Sequence, residues 1–377
     1  MCIRDRSDSV REVLLDRLDS GSRPLARDDN HKVVLAVEGG GMRGAVASGM
    51  LLALEQLGFR DTFDLVVGTS AGAIAGAYFV AGQGTKGTTL YYTVLNSDRF
   101  VNRRRLLHGE PVLDLDYLLG DAFEAHGFVW DDLLTSDVPL FATITPVHPP
   151  SDRNVDSRRP VENREVRKIE GTAEHAQAIL AASAALPVLA GGSREVDGEE
   201  FVDGGMLEPV PWITALELGA THVLAVRSRG YNDAGKPEPL NVLERNTVPR
   251  LAKRMHGDYV SRLVRDHADL FAANTESLRS VSDGSGSAWP PLGSHAAKIE
   301  TVIPAPDTVL PERLEVDTHL LMDALAGGAT AMLEYLDLDG FQVEQRVVIN
   351  HPRAPIGTMR NTALTPIVRS RRATSRP

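Results

Sequence analysis

Three short motifs in this chain combine the residue types that acyl-transfer chemistry needs. Gly68-Thr69-Ser70-Ala71-Gly72 has the form G-x-S-x-G and stands between an apolar run and a stretch of small, helix-forming residues. Glycines on both sides of a serine permit a sharp strand-to-helix turn that presents the hydroxyl at the end of the strand. The helix that follows directs its N-terminal N–H groups and positive dipole end to the same place. With 33 glycines in 377 residues the pattern arises roughly 0.17 times by chance, so the strand before it and the helix after it are what favour a nucleophile over a tight packing turn.

The second motif, Gly39-Gly40-Gly41-Met42-Arg43-Gly44, admits two readings. It fits the G-x-G-x-x-G of a dinucleotide site, with Asp61 or Asp64 near the distance of a ribose-binding acid. It also fits a loop whose exposed N–H groups stabilise an oxyanion. The next βα junction decides between them. A dinucleotide fold needs no serine elbow there, yet Ser70 stands 26 residues after Gly44, which favours the oxyanion loop. No Gly-Lys-Ser/Thr follows, so it is not a Walker loop. The third motif, Asp203-Gly204-Gly205, reads by itself as a β-turn, and beside the other two as the carboxylate partner of Ser70.

These motifs need a scaffold that brings them together. Val33 to Val37 is a continuous apolar run, as expected for a strand buried on both faces. A helix over Ala45–Leu57, a strand over Phe63–Val67 and a helix over Ala73–Ala81 follow, a βαβ pattern that predicts a mostly parallel sheet. Further strands are expected at Pro139–Ile144, Val166–Ile169, Glu200–Val202 and His222–Val226. Helices are expected at Val10–Leu18, Ala173–Ala185, Trp212–Leu218, 240–279 and Leu320–Leu336, with residues 82–135 mainly helical.

On these motifs, in this order, residues 33–226 resemble the patatin-like phospholipases, a family of lipid acyl hydrolases. Ala182-Ser183-Ala184-Ala185-Leu186-Pro187 is similar to the family's stretch before its aspartate. Val302-Ile303-Pro304 and the helix around Gly327 extend the likeness to about residue 337. The proline-rich stretch 146–162 and the C-terminal tail depart from it. The resemblance implies an α/β fold, a three-layer α/β/α sandwich with a mostly parallel central sheet and a C-terminal helical extension. It implies hydrolysis of fatty acyl esters (phospholipase A, lysophospholipase or esterase type) by a Ser70–Asp203 dyad through an acyl-serine, with no histidine between the two. Gly39, Gly40, Gly41, Met42, Arg43 and Gly44 would form the oxyanion loop, with the Gly40 and Gly41 N–H groups foremost. Gly68 and Gly72 would shape the elbow, and Gly204 and Gly205 would follow the base. Arg43 would buttress the loop or meet a substrate phosphate. A carboxylate is a weak base for a serine hydroxyl in water, so such a fold must desolvate Asp203. The rival readings are a Ser-His-Asp hydrolase using His222, an acyltransferase on the same scaffold, and a dinucleotide- or lipid-binding module without turnover.

Composition sets the frame. With 42% hydrophobic and 24% charged residues the chain is an ordinary globular protein, and its net charge of −11 argues against nucleic acid as a partner. Eleven scattered histidines without an H-E-x-x-H pattern suggest no metal, and no cofactor is expected. No apolar run is long enough for a transmembrane segment. The expected partner is a lipid ester at a membrane or micelle surface. A single cysteine, Cys2, points to the cytoplasm, with a peripheral membrane position as an option. Residues 1–6, Met-Cys-Ile-Arg-Asp-Arg, read as translated sequencing-adapter sequence. The expected organisation is an N-terminal segment 1–31, a catalytic domain 32–230, a helical region 231–340 and a basic, disordered tail 341–377. The tail holds seven arginines against one acid, Glu344, a charge suited to anionic headgroups. Arg250, Lys253, Arg254, Arg262 and Arg265 are read as a solvated helix face.

Overall fold

The computed structural model of the chain describes residues 9–149, 160–230, 242–284 and 297–337. The adapter-like residues 1–6, most of 146–162, part of the Ser/Gly-rich stretch 281–293 and the basic tail lie outside them.

The apolar runs form the centre of an eight-stranded sheet. In chain order the strands are β1 (Val33–Val37), β2 (Leu65–Thr69), β3 (Leu140–Pro146), β4 (Glu165–Lys168), β5 (Arg194–Val196), β6 (Glu199–Asp203), β7 (His222–Val226) and β8 (Lys298–Val302). They lie in the order β5-β6-β3-β2-β1-β7-β8, with β4 also on β3. The run from β3 to β8 is parallel, whereas β4, β5 and β6 are antiparallel additions at one end. Every residue of β1, β2 and β7 is buried, as expected of strands covered on both faces.

The alternating side chains of β1 feed two cores. Val33, Leu35 and Val37 face α2 (Gly44–Gln56), α3 (Ala71–Val80), α4 (Gly84–Thr93), α8 (Ala173–Ala184) and α11 (Thr318–Leu336). Val34 and Ala36 face α9 (Trp212–Glu217) and the end of α10 (Val242–Ser282). This is a three-layer α/β/α sandwich. The short helices α5 (Leu115–Tyr117), α6 (Phe123–Ala125) and α7 (Trp130–Leu134) complete the first layer's rim. The helix α1 (Val10–Ser20) starts in a capping box of Ser9 and Glu12. Its Arg17 is tied to Asp29 and Asp64, and Asp64 also accepts the Val33 N–H at the start of β1.

The C-terminal helix α11 is integral to the core. It crosses α2 so closely that a Cβ on Gly49 would lie 2.0 Å from the Leu325 carbonyl oxygen, and one on Gly328 would lie 2.0 Å from that of Val46.

Residues 82–135 are mainly helical, as expected: α4, a 3₁₀ helix at Arg103–His108, a run continuous from α5 through a π-helical stretch, Leu118–Ala122, into α6, and α7, with breaks at Gly109 and Gly127, which take positive φ. Two elements differ from the sequence expectation. α10 is two helices, because Gly257 has φ 85 and ψ −174. The region after 231, expected to be helical, contributes β8 to the sheet. That strand is short and half-polar; its Glu300 leaves the strand to accept the Val10 and Arg11 N–H groups at the start of α1.

The α2–α11 crossing gives a stability prediction. Gly49→Ala should destabilise the protein by about 2–4 kcal/mol, because neither backbone can yield to the added methyl. Gly120→Ala, whose Cβ meets nothing within 4 Å, should leave the melting temperature unchanged or slightly raised. Thermal unfolding of both variants against the parent checks this.

Candidate active site

The three motifs arrive together because of strand register. Val37 pairs with Gly68, Thr69 with Thr143, and Ile144 with Asp203, so the residues following β1, β2 and β6 meet along one edge of the sheet. The hydroxyls of Thr69 and Thr143 bond across that row at 2.7 Å. Gly72 lets the start of α3 close onto β1: a Cβ there would lie 2.4 Å from the Val37 carbonyl oxygen. Gly68 lies against Ala73 and Gly204 against Thr143, each too close for a side chain.

Ser70 sits at the elbow with φ 54 and ψ −125, a conformation that costs a non-glycine residue about 1–3 kcal/mol. Its neighbours hold it there. The Ser70 N–H donates to Ser183 Oγ at 2.9 Å, and the Ser70 carbonyl accepts the Ala73 N–H at 2.9 Å. Its hydroxyl donates to Asp203 Oδ2 at 2.7 Å. The other Asp203 oxygen, Oδ1, accepts the Gly205 N–H at 2.7 Å. The Asp203 backbone is pinned by its N–H to Ala185 O at 3.0 Å and by the Thr145 hydroxyl on its own carbonyl at 2.9 Å.

Asp203 is only 4% exposed. Burial pushes its carboxyl up to about 6, and the Ser70 and Gly205 hydrogen bonds and the charge of Arg313 offset only part of that rise. The result is a carboxylate that is ionised at neutral pH yet far more basic than a solvated one.

The glycine loop lies beside Ser70. The Gly39 N–H donates to Pro209 O, that of Met42 to Arg313 O, and that of Arg43 to Gly40 O. The Gly44 N–H, at the start of α2, returns to Gly41 O and Met42 O. The N–H groups of Gly40 and Gly41 thus meet no acceptor among the described residues. Gly41 has φ 60, and a Cβ on it would lie 2.7 Å from Arg313 O. Glu38, fully buried, accepts the Ser228 N–H at 2.7 Å and lies 3.5 Å from Arg227 and 3.8 Å from Arg229.

A cavity open to solvent, with about 980 Å³ of empty space counting its open mouth, lies over Ser70 and Asp203. Ile74, Leu90, Leu95, Phe100, Leu113 and Leu118 give it an apolar wall. Arg43, Arg229 and Arg313 lie at its other side, and Arg229 stacks on Phe271 with its guanidinium 4.0 Å from the ring centre. Burial, together with the repulsion of Arg43, Arg313 and Arg227, brings Arg229 down to about 10, still a cation at neutral pH.

His222 is not near this site. It pairs with Val33 at the start of β1, whereas Ser70 follows the residue beyond the Val37 level. Four strand steps, about 13 Å, separate the two ends. Its Nδ1 lies 2.9 Å from Thr221 Oγ1 and its ring packs edge-on against His31. Arg250, Lys253, Arg254, Arg262 and Arg265 are all exposed. Sequence reasoning missed Arg229, Arg313, His267 and Phe271 as cavity residues, since none stands in a motif. Ser183 lay inside a stretch already singled out, and its hydroxyl, required by the Ser70 N–H, explains why a serine interrupts those alanines.

Comparison with known proteins gives the same outline. The family model for patatin-like phospholipase matches residues 35–216. The chain is 24% identical over 204 residues to the uncharacterized protein YjjU of Escherichia coli, covering 52% of each. It is 28% identical over 225 residues to human patatin-like phospholipase domain-containing protein 6, covering 56% of this chain but 14% of that one. VipD from Legionella pneumophila aligns over 82% of this chain and 67% of its own, at 14% identity and a TM-score of 0.35. The glycine loop after the first strand, the serine elbow after the second and Asp203 all fall within the matched span, and residues 35–216 are a patatin-like phospholipase family-model domain.

Proposed function

We propose that the protein hydrolyses fatty acyl esters of lipids by a Ser70–Asp203 dyad. The observation that carries this reading is the direct 2.7 Å hydrogen bond from Ser70 Oγ to a buried carboxylate, with no imidazole between them. Ser70 Oγ attacks the ester carbonyl as its proton passes to Asp203 Oδ2. The new oxyanion is received by the N–H groups of Gly40 and Gly41. On collapse, the bond to the alcohol breaks and Asp203 returns the proton to the departing oxygen, leaving acyl-Ser70. Water then attacks the acyl carbon, losing its proton to Asp203; on collapse the bond to Ser70 Oγ breaks, Asp203 returns the proton to that oxygen, and the acid departs. The apolar wall of the cavity suits a fatty chain, and the name of the human relative supports a lipid ester as substrate. Among the described residues no helix is long and apolar enough to cross a membrane.

Ser70→Ala and Asp203→Asn should each lower kcat on a p-nitrophenyl fatty ester by about 10³-fold or more, because residues acting as a unit lose most of their effect when either goes. His222→Gln should stay within a few-fold of the parent. A dead His222→Gln beside an active Asp203→Asn would overturn the dyad.

Asp203 is active as its anion, so kcat/KM should fall as pH drops through about 6, with unit slope on a logarithmic plot. The linkage to stability has the opposite sense. The folded carboxyl has its pKa raised from 3.8 to about 6, so ionising it costs the fold about 3 kcal/mol once pH exceeds both values. Asp203→Asn should therefore melt higher than the parent at pH 8, by a margin that shrinks as pH falls from 6 toward 4. A lower melting point at pH 8 would contradict this account.

Gly41→Ala should reduce kcat by about 10²–10³-fold with little change in KM for a soluble ester, since the displaced N–H acts on the transition state.

A further inference from the structure

We propose that residues 103–110 form an anchor that seats the mouth of the cavity on a lipid surface carrying anionic headgroups. This rests on the lipid-ester reading of the site and assigns the surface from which its substrate comes.

The segment is a projecting tip on a short stem. Val101 and Leu113 form an antiparallel bridge, with the Asn102 N–H on Val112 O at 2.9 Å and the Asp114 N–H on Phe100 O at 3.1 Å. Beyond the stem, Arg103–His108 is a single 3₁₀ helix with no buried residue. Asn102 Oδ1 caps its start, on the Arg104 N–H, and Gly109 in a left-handed conformation ends it. The tip is therefore ordered by its own caps, not by packing.

Its side chains have the composition of an interfacial element. Leu107 is 84% exposed and Leu106 is 47% exposed, two adjacent leucines of which Leu106 is half covered and Leu107 almost bare among the described residues. Arg103, Arg104 and Arg105 precede them, against Glu110 as the one acid of the tip. Arg103 reaches Glu312 at 3.4 Å and Arg105 reaches Asp114 at 3.7 Å, whereas Arg104 is exposed and pairs with no acid among the described residues. Surface pairs such as Arg103–Glu312 contribute little and exchange readily for a phosphate. Exposed leucines beside arginines match the two parts of a membrane interface, acyl chains and anionic headgroups.

The tip is continuous with the cavity. Phe100 and Leu113, the two ends of the stem, line it. Glu312, which Arg103 meets, precedes Arg313, whose carbonyl holds the Met42 N–H of the glycine loop and which also lines the cavity. A lipid surface touching Leu106 and Leu107 would face the apolar wall that runs down to Ser70. This continuity favours a lipid surface over a second copy of the chain, which would close the mouth.

The test separates docking from turnover. In full-length Ser70→Ala protein, partition onto equimolar phosphatidylglycerol–phosphatidylcholine vesicles is measured by co-sedimentation, without and with Leu106→Ser/Leu107→Ser or Arg104→Gln. The double leucine variant should lower the partition coefficient about tenfold or more, at low and at high salt, because apolar insertion is not screened. Arg104→Gln should lower it about fivefold at low salt and little at high salt. In the Ser70-containing chain the same tip variants should lose turnover of vesicle lipid by the same factors relative to a monomeric p-nitrophenyl ester, whose turnover reports on the dyad alone. An unchanged partition in the double leucine variant overturns the proposal. So does a change in its sedimentation behaviour without lipid, which would make the tip a contact between copies. Absence of turnover on every ester, with the partition result as expected, would instead sink the dyad and leave the anchor standing.

Discussion

The hydrogen bond between Ser70 and Asp203 is the constraint that organises the molecule. Its two residues come from β2 and β6, which do not pair with each other; β3 stands between them and pairs with both. The serine must be turned out of its strand, and the carboxylate must be buried without a cation in direct contact. Both conditions are unfavourable taken alone. Positive φ at Ser70 is strained, and burial disfavours the charged form of Asp203.

The rest of the site offsets those costs with buried hydrogen bonds. Ser183 holds the elbow N–H, the Thr69–Thr143 pair ties β2 to β3, and Thr145 holds the backbone of Asp203. After Asp203 the chain is fixed by Glu208. Its carbonyl accepts the Thr69 hydroxyl, and its fully buried carboxylate meets Arg164 and accepts the N–H groups of Ile213 and Thr214 at the start of α9. A buried ion pair of this kind fixes a geometry more than it adds stability. It keeps Pro209 where its carbonyl can take the Gly39 N–H. Asp203 and the glycine loop are thus positioned by one stretch of chain.

Positive charge forms the second layer. Arg43, Arg227, Arg229 and Arg313 surround the glycine loop, with Glu38 as the acid among them. Their field favours negative charge at the cavity floor, where an oxyanion would develop, and it restrains the rise of Asp203 through Arg313. The same loop that carries Arg313 supplies the carbonyl that shapes Gly41. The C-terminal region is accordingly part of the site, and α11 locks it to α2 through the Gly49 and Gly328 contacts.

The local sequence determined the parts whose physics is local. The run Val33–Val37 had to be a strand buried on both faces, the small residues around Ser70 had to be an elbow, and Asp203-Gly204-Gly205 had to turn. Those features singled out Ser70, Asp203 and the glycine loop as candidates without coordinates. Tertiary structure decided what depends on distant partners. Register put Asp203 beside Ser70 and left His222 at the far end of the sheet, a separation that chain order cannot express. Burial, a property of the assembled core, gave Asp203 its basicity. Arg229, Arg313 and Phe271 reach the cavity from loops and a helix whose local patterns resemble any solvated segment, and Leu106 and Leu107 became an exposed tip because residues 100 and 113 closed a stem beneath them. A side chain's neighbours in sequence set its backbone, but which charges and surfaces it meets depends on segments far along the chain.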